Sequence, residues 1–72
     1  MYVIAEPNKG VCVNGRGGLT EMIGEALVFH NYNNAVAYLN RLISTSYSKY
    51  SQFTVIALHF PEGFITFTNW GD

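Results

Sequence analysis

Cysteine, proline, tryptophan and charge are all scarce in this chain of 72 residues, and each scarcity excludes something. The single Cys12 cannot close an intrachain disulfide, and no paired cysteines or closely spaced histidines offer a structural zinc site. Charged side chains make up 12% of the chain, about half the ~25% usual for soluble proteins. The net charge of −1 gives no long-range field, which argues against both non-specific nucleic-acid binding and acidic mimicry of DNA. No apolar run approaches the ~20 residues needed to span a bilayer, and no cationic-then-apolar leader opens the chain. The expectation is a soluble, cytoplasmic protein without a membrane segment.

A single domain, residues 1–72, is expected at this length. A domain this small buries only about 60% of the surface its unfolded chain exposes. With no disulfide or metal to staple it, a partner becomes the expected source of extra stability, and a homodimer is the first candidate.

What the chain does have is apolar content: 49% hydrophobic and 15% aromatic residues. Ala26 to Ile43 organises it, because the hydrophobic period switches there from strand to helix. Ala26 to Phe29 is a short β-prone run. After it Tyr32, Val36, Leu39 and Ile43, with Ala35 and Leu42 beside them, recur at helical spacing. Asn31 stands where an N-cap belongs, and Arg41 lies towards the C-terminal end of the stripe, where a cation suits the helix dipole. Asn33, Asn34, Tyr38, Asn40 and Arg41 fall on the opposite face, so the helix should lie on a sheet.

Tyr2–Glu6 and Val11–Asn14, joined by Pro7-Asn8-Lys9-Gly10, read as a hairpin. Thr20–Glu25 reads as one helical turn capped by Thr20. The serine-rich run after Ile43 should fray into a loop, although Tyr47 and Tyr50 continue the helical spacing. Phe53–Phe60 is apolar on both faces, the pattern of a central strand, and Pro61-Glu62-Gly63 turns it into Phe64–Thr68. The expected fold is α+β: about five short, mostly antiparallel strands, as two hairpins plus the strand at Ala26, with one helix on one face.

Motifs that could carry chemistry are weak. Asn14-Gly15-Arg16-Gly17-Gly18 has the composition of a phosphate-cradling backbone nest but lacks the Walker lysine and the G-x-G-x-x-G frame, so a plain flexible loop is the expected reading. His30, His59 and Cys12 sit in unrelated elements, and Gly24 between Glu21 and Glu25 works against a helical carboxylate pair. Neither a catalytic residue nor a cofactor or metal ligand is expected.

The hairpin, then Gly24-Glu25-Ala26-Leu27-Val28-Phe29, the capping Asn31 and then Ala35, Tyr38 and Leu39, resembles the layout of small accessory proteins of bacteriophages and mobile elements. The resemblance covers residues 1 to 43. It implies a host-takeover or anti-defence factor that binds one host protein stoichiometrically in the host cytoplasm. It assigns no residue a role. Composition supplies the candidates instead: Tyr38, Tyr47, Tyr50, Phe64, Phe67 and Trp70 as interface anchors, with Arg16 as a rim charge. The alternative expectation is a small nucleic-acid-binding regulator using the sheet aromatics and the Gly-Arg loop.

Overall fold

The structure is a computed structural model and describes residues 1–58. The expected second hairpin beyond Leu58, with His59, Phe60, Phe64, Phe67 and Trp70, lies outside the described residues.

Among the described residues four antiparallel strands, against about five expected for the whole chain, form one sheet in the order β3-β2-β1-β4. They are β1 (Tyr2–Glu6), β2 (Val11–Val13), β3 (Leu19–Thr20) and β4 (Thr54–Ala57). Helix α1 (Tyr32–Thr45) and a single turn, α2 (Tyr47–Tyr50), complete the α+β fold. The β1–β2 hairpin forms as expected, pairing Ala5 with Cys12 and Glu6 with Val11. Gly10 closes its turn at φ 67, a left-handed conformation that glycine adopts without steric cost. Glu6, almost fully buried, accepts the Asn8 N–H through Oε1 at 3.0 Å and so braces the same turn.

Among the described residues the strand buried on both faces is β1, and β4, within the described part of the Phe53–Phe60 run, also sends apolar side chains into both cores. On one face Ile4 packs with Val13, Leu39, Tyr50 and Phe53 beneath α1; on the other Val3 and Ala5 pack with Cys12 and Leu58. Among the described residues β4 pairs only with β1, and its Thr54 and Ala57 are exposed. Its alternation is nonetheless as expected, with Phe53 and Val55 on the helix side and Ile56 and Leu58 on the other.

Ala26–Phe29 is not a regular strand but a wedge. Single bridges tie its ends, Ala26 to Asn14 and Phe29 to Tyr2. Leu27 N–H donates to Val13 C=O at 2.9 Å, while Tyr2 and Phe29 exchange two 2.8 Å bonds, so the segment fills the gap where β1 and β2 splay apart. Its side chains still alternate: Leu27 and Phe29 join the helix-side core, Ala26 and Val28 the opposite one. With Ile23 they pack on the face that a single helix cannot reach.

Asn31 caps α1 as expected, its Oδ1 accepting the Asn34 N–H at 3.1 Å. Asn31→Ala should therefore cost roughly 1 kcal/mol, and Asn31→Asp or Asn31→Ser much less. Denaturant titration giving equal stabilities for all three variants would contradict this cap. Around Thr20 the expectation is corrected. The turn is a 3-10 helix at Ile23–Glu25 whose N-cap, Met22, makes no side-chain cap bond. Thr20 acts one step earlier, its Oγ1 accepting the Met22 N–H at 3.0 Å and donating to Glu25 Oε1 at 3.2 Å.

Candidate functional site

The helix runs two residues beyond Ile43 and then breaks at Ser46, whose backbone leaves helical geometry at φ −150, ψ 79. Serine and threonine supply the local chemistry for such an end. Thr45 Oγ1 donates back to Arg41 C=O at 2.9 Å, and the Ser46 carbonyl accepts the N–H groups of Lys49 and Tyr50 at 3.2 and 3.1 Å, starting α2 in a new direction. In an unbroken helix Ile43, Tyr47 and Tyr50 would share one face. The break separates them: Tyr47 is 72% exposed, whereas Tyr50 is 5% exposed and packs edge-on to Phe53 at 5.3 Å. Tyr50 thus packs into the core, while Tyr47 stays at the surface.

Tyr38 is also corrected. It turns inward, half-buried, with its ring 5.3 Å from Phe29. Tyr32, assigned to the apolar stripe, is 52% exposed and stacks edge-to-face on Tyr2 at 5.5 Å. The extension of α1 to Thr45 also leaves Arg41 outside its last turn; the cation in a last turn is Lys49, on α2.

The glycine loop is held by Asn14. Its Oδ1 accepts the N–H groups of Arg16 at 2.8 Å and Gly18 at 2.9 Å, and its own N–H donates to Gly18 C=O at 3.0 Å. Gly17 takes φ +82, which this tight return requires. Two of the N–H groups that would cradle a phosphate are therefore already spent on an internal oxygen. Arg16 itself is exposed at the loop tip.

These elements meet. Gly17 of the loop, Tyr38, Arg41, Leu42 and Thr45 of α1, and Ser46, Lys49 and Tyr50 line one open groove of ≈ 400 Å³. Two of the chain's four cations form its walls and a third, Arg16, neighbours Gly17, while among the described residues no acidic side chain lines it. Lys49 Nζ lies 5.2 Å above the Tyr50 ring, a cation–π placement that holds the ammonium against the groove floor. Sequence reading identified Arg16, Tyr38, Tyr47 and Tyr50 one by one but missed the groove, and gave Arg41 and Lys49 no binding role. The signal for it was faint: three cations in a chain with four, spread over loop and helix and joined only by the fold.

Cys12 belongs elsewhere. It is fully buried, its Sγ 3.6 Å from Thr20 C=O, and burial pushes its thiol up to about 11. Thiolate is the reactive form, so Cys12 is a poor nucleophile in the folded chain. Because the folded pKa lies above the unfolded one, the folded state holds the proton longer, and the Cys12 contribution to stability is lost as pH rises from about 9 towards 11. Cys12→Ala should flatten that decline relative to the parent chain in denaturant titrations across this window. A thiol reagent should label Cys12 only at the rate of unfolding. His30 is exposed at the entry to α1, and Glu25 is engaged by Thr20. Among the described residues no cluster of three or more His, Cys, Asp or Glu is placed to hold a metal ion, and no helix is long and apolar enough to cross a membrane.

No protein-family model, curated protein or solved structure matches this chain.

Proposed function

We propose that this chain is a small non-enzymatic binding factor that acts by occupying a surface on another protein. The observation that carries this reading is the groove between the glycine loop and the α1–α2 break, where the Arg41 and Lys49 side chains stand beside an apolar and aromatic floor. Tyr47, next to the groove-lining Ser46 and 72% exposed, adds an aromatic of the kind that anchors interfaces. Its likeness to phage and mobile-element accessory proteins extends the proposal: the partner is one host protein, inhibited or redirected by stoichiometric contact in the host cytoplasm.

Self-association, as a homodimer, belongs to the same proposal. With Val3, Ala5 and Cys12 fully buried, the exposed large apolar groups among the described residues are Met1, Leu19, Met22, Tyr32 and Tyr47, of which Leu19 on β3 and Met22 lie three apart in the chain. Exposed apolar side chains of this kind are what a second copy would cover. Sedimentation equilibrium returning a monomer mass at micromolar concentration would remove the homodimer from the proposal.

The test of the contact reading is affinity capture from a bacterial lysate with mass spectrometry, comparing the parent chain with Tyr47→Ala and with the double variant Arg41→Glu, Lys49→Glu. One protein retained near stoichiometry by the parent and lost by the groove variants, all remaining folded, supports it. Retention of nucleic acid in place of protein would favour a nucleic-acid regulator. Retention indifferent to both variants would place the interface elsewhere.

A further inference from the structure

We infer that the groove takes a short acidic segment of a polypeptide partner, one in which carboxylates alternate with apolar side chains. This rests on the contact reading above and names the chemistry of what is contacted. The walls carry Arg41 and Lys49, with Arg16 at the loop tip, and the floor is Leu42 with the Tyr38 and Tyr50 rings. Among the described residues no acidic side chain lines the groove beside these cations, and the group complementary to them is an anion. The floor asks for apolar groups beside it. At ≈ 400 Å³ the groove lies at the small end of ligand-binding clefts, roughly 300–1,000 Å³, which suits a few side chains of an extended segment.

Three features favour carboxylates on a peptide over the phosphates of a nucleic acid. Base binding needs an open aromatic face. Tyr38 is half-buried with its ring tilted 58° to Phe29, and Tyr50 is buried with Lys49 over its face, so neither ring offers a stacking platform. Two backbone donors of the glycine loop, the Arg16 and Gly18 N–H groups, are already taken by Asn14 Oδ1 and do not face a phosphate. The net charge of −1 gives no field to draw in a polyanion, whereas a local pair of cations suffices for one or two carboxylates.

The experiment uses the full chain, isotope-labelled for amide NMR and titrated with a blocked hexapeptide alternating glutamate and leucine. Controls are the same peptide with glutamine for glutamate, inorganic phosphate and an oligothymidylate. The expected result is perturbation centred on Gly17, Arg41, Thr45 and Lys49 by the glutamate peptide, with the glutamine peptide about tenfold weaker, as two partly exposed ion pairs of ~0.7 kcal/mol each would give. The double variant Arg41→Gln, Lys49→Gln should erase that difference, and its amide dispersion reports whether it is folded. Equal affinity for the two peptides at the groove overturns the acidic preference and leaves the contact reading standing. Absence of any perturbation at the groove by the glutamate peptide overturns the inference, as does binding there by oligothymidylate or phosphate alone.

Discussion

Ile4→Ala is expected to lower the unfolding free energy by about 3–4 kcal/mol, within the range found when a large buried aliphatic is truncated. Ile4 is fully buried on the central strand, opposite Val55 in register, and touches the core formed by Val13, Leu39, Tyr50 and Phe53. Its side chain therefore joins sheet, helix and the α2 turn at one point. β1 is hydrogen-bonded to β2 and β4 and cannot shift to fill the hole. A domain of this length has a margin of roughly 4–11 kcal/mol at 0.05–0.15 kcal/mol per residue, so the variant should sit near the edge of folding. Urea titration should show a much lower midpoint with an unchanged slope. A loss under about 1 kcal/mol would mean that Ile4 is not at the centre of the core.

Tyr50→Ala and Tyr47→Ala, three residues apart in one serine-rich run, should differ by at least about 2.5 kcal/mol. Truncating a large buried aromatic costs about 3–5 kcal/mol, whereas an exposed substitution away from any special feature changes stability by about 0.5 kcal/mol or less. Tyr50 additionally loses the edge-to-face contact with Phe53 and leaves Lys49 without the ring beneath its ammonium. Tyr47, 72% exposed, has little to lose on folding. Thermal melts of the two variants beside the parent chain make the comparison directly. Similar melting temperatures for both would show that the chain does not turn at Ser46 and that the groove, which depends on that turn, is not built as described.

How far the fold was legible in the sequence follows from which forces are local. The α1 helix could be read because its start depends on Asn31 and its stripe on a repeat of 3.6, both contained in a few consecutive residues. The β1–β2 hairpin could be read because Pro7 to Gly10 is short and turn-forming. The glycine loop was legible as composition but not as geometry: flexibility was the reasonable expectation, and only the bonds from Arg16 and Gly18 to Asn14 show it held. Tyr38 was placed on the outer face by the helical wheel, yet the wedge carrying Phe29 lies close enough to draw it in.

What the sequence determined by itself was the α+β class, the helix with its cap, the first hairpin and the β-prone character of Ala26–Phe29. These rest on hydrophobic period, turn chemistry and cap chemistry, which act over a handful of residues. Only the tertiary structure decided that β1 is the two-sided strand, that Ala26–Phe29 wedges between β1 and β2, that Tyr50 is core while Tyr47 is surface, and that Arg41 and Lys49 share a groove beside Arg16. Strand order and the direction of α2 are settled by which distant surfaces are buried together, and burial has no preferred direction along the chain.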